Sequence, residues 1–200
     1  MSRSLLRLLC VPALAGIVSA LSFSALAAGK VGVERIKLPS LSTVEDYPYT
    51  IEVPADWSVR REVPEPGIYL GPPAVDPKQY PEMIFVRWSR VELTNPEATA
   101  ANIKANDLKN DAWTAPEVTV VDVGTTKGLW VRMDYPAKND VPARTTLTLK
   151  VPIPGASIDI IGASPTEKFP ELRAHYEKIL RSVLPAPAEE KTAEATKPQG

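Results

Sequence analysis

The residue types that most often carry catalysis are scarce in this sequence. His175 is the only histidine and Cys10 the only cysteine, so the chain cannot build a structural zinc site of the usual cysteine and histidine type. Ser164 follows Gly162 at the spacing of a nucleophile elbow, but the second glycine of that motif is missing. We therefore predict no catalytic residue, no metal site and no cofactor. We interpret His175 as a half-exposed helix residue four positions after Glu171.

Carboxylate chemistry is the enzymatic alternative that the sequence leaves open. Glycoside hydrolases work with two carboxyl groups, and adjacent acids such as Glu45 and Asp46 occur here. Their geometry does not follow from the sequence. A pair of acids in a deep cleft would favour a hydrolase, whereas a shallow exposed aromatic patch would favour a binding protein.

A sheet face that carries tryptophan and arginine is the strongest candidate for recognition. Side chains alternate between the two faces of a strand, and tryptophan and arginine are enriched at binding hot spots. Lys150 is expected to share this face. The alternative is that a helix covers it, which would make the tryptophans core residues and leave the arginines at the helix edge. We predict a binding site made of Trp88, Arg90, Trp130, Arg132 and Asp134.

Short alternating segments predict a series of strands and two helices. Adjacent strand pairs separated by turn residues indicate hairpins, and hence an antiparallel sheet with helices packed on it. The predicted strands are 49–53, 58–62, 67–70, 82–93, 118–123, 129–135, 145–151 and 157–161, the loop of the 118–135 hairpin is 124–128, and the helices are 95–111 and 168–183.

The two predicted helices differ in their apolar faces. The first begins at Asn95-Pro96-Glu97, a combination typical of a helix start. Its inner stripe is predicted to be Ala98, Ala101, Ala105, Leu108 and Ala112. The second carries larger residues on one face, namely Phe169, Leu172, Tyr176, Ile179, Leu180 and Val183.

The amino-terminal segment reads as a secretory signal peptide, residues 1–27. Arg3 and Arg7 precede an apolar run over 8–26, which ends in Ala25-Leu26-Ala27, the small-x-small pattern of a cleavage site. Cleavage is expected after Ala27 or Ala28, and a retained membrane anchor is the alternative. Loss of the leader removes Cys10, and an exported domain without cysteine fits a bacterial periplasm.

The remaining boundaries follow from composition. Residues 28–46 are a linker or a first strand, and residues 185–200 are predicted to be disordered because they lack large apolar side chains. The chain has 23 basic and 24 acidic residues. Removal of the two leader arginines leaves 21 basic and 24 acidic residues, a formal net charge of −3. Without a basic stripe, we predict no nucleic-acid partner.

The segment 49–57, YTIEVPADW, resembles the opening strand of the PsbP-like proteins. The late hairpins and the closing Ile179-x-x-Ser182-Val183 pattern also match, so the resemblance covers 47–184. Asp56 departs from it, since many relatives have glycine before the tryptophan.

This resemblance implies an α+β fold, an α/β/α sandwich with a central antiparallel sheet. Proteins of this family are mostly binding or assembly factors rather than enzymes. We therefore expect an exported, non-enzymatic binding or assembly factor of the bacterial cell envelope. Its expected partner is another envelope protein, and no stable transmembrane segment is expected after processing. The alternative is a secreted, carboxylate-based hydrolase.

Overall fold

The computed structural model describes residues 32–41, 45–62, 67–73, 83–107, 112–138 and 141–187. The predicted signal peptide, with its two candidate cleavage sites, lies outside the described residues. The elements are β1 (Val33–Lys37), β2 (Tyr49–Pro54), β3 (Ser58–Glu62), β4 (Gly67–Gly71), β5 (Ile84–Ser89), α1 (Pro96–Asp107), β6 (Thr114–Val123), β7 (Thr126–Tyr135), β8 (Arg144–Ile153), β9 (Ala156–Pro165), α2 (Phe169–Arg181) and β10 (Leu184–Pro185).

A seven-stranded antiparallel sheet forms the centre of the fold, in the order β3-β4-β5-β9-β8-β7-β6. Tight turns connect its long hairpins, and each turn holds a glycine in the left-handed region, Gly124 (φ 60°) and Gly155 (φ 70°). The predicted loop at 124–128 is therefore too long. Gly128 lies inside β7, where an added Cβ would approach the carbonyl oxygen of Lys150 to 2.9 Å.

A smaller sheet has the strand order β1-β2-β10. It includes residues from the segment 28–46, predicted to be a linker or a first strand, and from the segment 185–200, predicted to be disordered. Of the two alternatives for 28–46, the structure has a strand, β1, paired along β2. At the other end, Pro185 pairs with Tyr49, and the amide of Ala186 donates to the carbonyl of Pro48 (3.0 Å). The prediction that disorder starts at residue 185 is therefore wrong for residues 185 and 186, which run along β2; residues 188–200 lie outside the described part.

Helix α2 and the smaller sheet cover one face of the central sheet. The predicted apolar face of α2 is confirmed, with Phe169, Tyr176, Ile179 and Leu180 buried. The ring of Tyr176 lies directly over Gly162 of β9, where an added Cβ would meet its Cγ at 2.5 Å. The Tyr176 hydroxyl donates to the carbonyl of Ala163 (2.9 Å). This contact sets how closely α2 approaches the sheet.

Helix α1 covers the opposite face, over β6 and β7. Its start is confirmed, since the Asn95 side chain accepts a hydrogen bond from the amide of Ala98 (2.8 Å). The predicted inner stripe is wrong: Ala98, Ala101 and Ala105 are exposed, and Leu108 lies outside the described residues. Ala100 and Ile103 face the sheet instead. Because alanines lie on several sides of the helix, they do not favour one buried face. The larger Ile103 buries more apolar surface and therefore faces the sheet.

The architecture is α+β, with helices on both faces of the central antiparallel sheet, as predicted. Among the described residues, none of the helices is both long and apolar enough to cross a membrane.

Candidate functional site

Trp88 lies near the end of β5 and is the most exposed tryptophan for which the structure gives a value, at 45%. Ile84 and Val86 precede it on the same face of the strand and are fully buried. The chain turns away after Ser89, and the guanidinium carbon of Arg90 lies 5.9 Å from the centroid of the Trp88 ring. Trp88 and Arg90 therefore form one local unit, although Arg90 lies beyond the end of β5.

The Trp88 ring borders an open groove of about 440 Å³. One wall is the segment that precedes β2, and the other is the β8–β9 turn. The hydroxyl of Tyr49 donates to the carbonyl of Pro152 (2.7 Å) and joins these walls. The side chain of Ser40 donates to the carbonyl of Glu45, which fixes the first wall internally. We call this feature the Trp88 groove; its lining includes Leu41, Glu45, Asp46, Tyr47, Pro48, Ile153 and Pro154.

The Trp88 groove combines an apolar surface with an acidic rim. Glu45 and Asp46 are exposed, and the guanidinium of Arg61 lies 4.0 Å from a carboxylate oxygen of Asp46. Burial raises the pKa of Tyr47 above its usual value of 10.0, so its hydroxyl adds no negative charge to the groove. Such a surface can pack apolar groups and attract a cation.

Trp130 occupies a different environment from Trp88. It is only 6% exposed and belongs to the core beneath α2, and the guanidinium of Arg181 lies over its ring at 5.0 Å. Strands β9 and β8 separate β5 from β7. The helix-covered alternative therefore describes Trp130, and the predicted site residues do not form one patch.

Arg132 and Asp134 take part in a charged network between β6, β7 and α2. Arg132 pairs with Asp134 (3.0 Å) and reaches Glu117 (3.7 Å), and Arg173 of α2 pairs with the same Glu117 (2.6 Å). The hydrogen bonds from Arg173 to Glu117 raise the pKa of Arg173. The hydroxyl of Thr145 donates to Asp134 (2.8 Å). These partners already engage both predicted site residues inside the fold.

The prediction that Lys150 shares the tryptophan face is wrong. Trp130 pairs with Leu149 across β7 and β8, so the next residue, Lys150, points to the opposite face. There its ammonium contacts the buried Asp159, which also pairs with Arg87 (2.9 Å). A register shifted by one residue reverses the face of every side chain.

His175 lies beside Trp57, with ring centroids 5.7 Å apart, and next to Tyr176. The contact with Trp57 was not predicted. Within the described part of the chain, no group of three or more histidine, cysteine, aspartate or glutamate residues is placed to hold a metal ion.

The sequence did not indicate the Trp88 groove as a unit. Its described walls come from 40–41 and 45–48 on one side and 153–154 on the other, which are far apart in the chain and carry no motif. The predicted strand 82–93 placed Trp88 in its interior, whereas β5 ends at Ser89.

The central antiparallel sheet and the helices on both its faces define a PsbP-like fold. Among solved structures, the cyanobacterial PsbP (CyanoP) of Synechocystis sp. PCC 6803 is similar over 80% of this chain and 95% of its own. Its TM-score is 0.51 and its sequence identity 12%. The predicted PsbP-like architecture is thereby confirmed.

Two further structures show weaker similarity. LpqN, described as involved in cell envelope biogenesis of Mycobacterium tuberculosis, is 15% identical over 78% of this chain and 92% of its own, with a TM-score of 0.45. PA94, a protein of unknown function from Pseudomonas aeruginosa, is 11% identical over 69% and 92%, with a TM-score of 0.47. No protein-family model matches this sequence, and no curated protein does.

Proposed function

We propose that this protein is an exported, non-enzymatic binding or assembly factor of the bacterial cell envelope. Its partner is another envelope protein, which it contacts through the Trp88 groove. The observation that carries the proposal is the half-exposed Trp88 in an open groove. Export rests on the leader pattern of residues 1–27.

An exposed tryptophan at a strand end is well suited to binding. Its ring offers a large contact area and loses little side-chain freedom when a partner packs on it. The hydrogen bond from Tyr49 to Pro152 joins the groove walls before any partner binds. A surface held in one shape before binding loses less entropy on association.

The acids of the Trp88 groove favour binding over hydrolysis. A carboxylate hydrolase needs one acid whose pKa is raised, which burial in an apolar pocket commonly achieves. Glu45 and Asp46 lie exposed on the rim of an open groove. The open rim does not provide the enclosed apolar pocket in which one carboxyl group could act as the acid while the other acts as the base.

Affinity capture from the native envelope fraction, followed by mass spectrometry, tests the proposal. The wild-type protein is compared with Trp88→Ala and with Val141→Ala, a matched control. Val141 is 63% exposed and lies near the start of β8, far along the strand from the groove. We expect one envelope protein to be recovered by the wild type and by the control, but not by Trp88→Ala.

Equal recovery by all three proteins would remove the Trp88 groove from the proposal. Export is tested separately by the intact mass of the envelope-associated protein. We expect a mass that begins at residue 28 or 29, and a mass that includes the leader would contradict cleavage.

A further inference from the structure

We infer that the Trp88 groove binds a partner segment that combines apolar side chains with lysine or arginine. This inference rests on the proposed function and adds the chemistry of the partner to it. Three observations carry it: the composition of the groove lining, the charge on its rim and the cation that already lies over Trp88.

The lining of the Trp88 groove is dominated by carbon. Trp88, Ile153 and Pro154 face Leu41 and Pro48. The Ser40 hydroxyl is engaged within its own wall, where it donates to the carbonyl of Glu45. A ligand in this groove therefore gains chiefly by burying apolar surface.

The charges on the lining are acidic. Glu45 and Asp46 are its charged residues, and Arg61 approaches Asp46 only to 4.0 Å. Among the described residues, no basic group lies within 4.0 Å of the Glu45 carboxylate. A partner cation placed here would meet an exposed carboxylate that makes no ion pair within the described part of the chain.

The ring of Trp88 already receives a cation within the protein. The guanidinium carbon of Arg90 lies 5.9 Å from the ring centroid, within the range of a cation–π contact. A lysine or arginine of the partner can lay its methylene stem on the apolar lining and direct its charge to Glu45. Arg90 then competes with the partner's cation instead of binding the partner.

The same acidic rim disfavours anionic surfaces. Phosphates of nucleic acids and anionic lipids would be repelled by the Glu45 carboxylate. The charge of Asp46 is partly offset by Arg61, which also donates to the carbonyl of Ser40 (3.2 Å). A basic, partly apolar peptide is thus the macromolecular segment whose chemistry complements the groove.

Selection from a phage-displayed library of random linear peptides tests the inference. The wild-type protein and Trp88→Ala are used as baits, each after its thermal unfolding shows that it is folded. We expect the wild type to enrich peptides that contain lysine or arginine beside leucine, isoleucine or proline, and Trp88→Ala to enrich none of them.

Affinities of the enriched peptides, measured by fluorescence anisotropy, then show how much of the binding depends on the charges of the Trp88 groove and how much on its apolar surface. The double variant Glu45→Gln/Asp46→Asn should bind roughly 2- to 30-fold more weakly, the effect of losing two exposed ion pairs. Arg90→Ala should bind as well as the wild type or better. Added salt should weaken wild-type binding and have little effect on the double variant.

Other outcomes overturn the inference, and they do so in distinguishable ways. Enriched acidic peptides, or weaker binding by Arg90→Ala together with unchanged binding by the double variant, would assign an anionic partner and leave the proposed function intact. Trp88-dependent binding to vesicles of phosphatidylglycerol and phosphatidylcholine would assign a lipid surface instead. Equal enrichment by wild type and Trp88→Ala would reject both the inference and the proposed docking site.

Discussion

Replacement of Trp130 by alanine should destabilise the fold far more than replacement of Trp88. Trp130 is 6% exposed and lies under α2, and truncation of a buried tryptophan costs about 3–5 kcal/mol. At roughly 2–4 °C per kcal/mol for a protein of this size, the melting temperature should fall by about 6–20 °C. Trp88 is 45% exposed. Only about half of its surface is buried to begin with, and solvent can fill the gap, so Trp88→Ala should cost about 1–2 kcal/mol.

Urea unfolding followed by far-ultraviolet circular dichroism measures both costs. Circular dichroism is preferred because each substitution also removes a fluorophore. The transition midpoint should shift while its slope with denaturant stays the same, which would identify a pure change in stability. Equal losses for the two variants, or a loss below about 1 kcal/mol for Trp130→Ala, would refute the claim that Trp130 is core and Trp88 is surface.

Three further predictions concern the packing of the fold. Gly162→Ala should lower the free energy of unfolding by about 1–3 kcal/mol in the same urea assay, because the added methyl group meets a side chain of α2. Truncation after Val183 should lower the melting temperature measurably because it deletes β10, whereas truncation after Pro187 should leave it unchanged; equal melting would show that β10 contributes nothing. The hydrogen bond from Lys127 lowers the pKa of Glu97 below 4.5, so this pair adds stability above that pH and loses it as the pH falls through the lowered pKa. Titration of Glu97 by NMR should show this low pKa, and Lys127→Met should return it toward 4.5.

The larger elements were predictable because large apolar residues and polar residues recur in them at regular spacing. Alternation of apolar and polar residues marked β2, β7 and β8, and glycines marked the hairpin turns. In α2, large apolar residues recur at helical spacing, so one face alone could be buried. The fold class followed from these patterns.

Prediction failed where neighbouring residues differ little in size and hydrophobicity. Helix α1 has alanines on several sides, and these differ little in the apolar area that they can bury. Its buried face was decided by Ile103 and by the position of Leu93 and Trp113 in the core that it covers. The β8 register was likewise unknown, so the sequence could not show that Lys150 points toward Asp159.

The sequence by itself determined that Trp88 and Trp130 each lie on a face opposite their strand neighbours. Alternation is a local property of the backbone and does not depend on what covers the strand. Only the tertiary structure decided whether each tryptophan ring is buried or exposed. Helix α2 crosses above Trp130 and buries it, whereas Trp88 lies near the end of β5 beside a groove whose described walls come from 40–41, 45–48 and 153–154. Exposure depends on contacts between segments distant in the chain, and no local pattern encodes them.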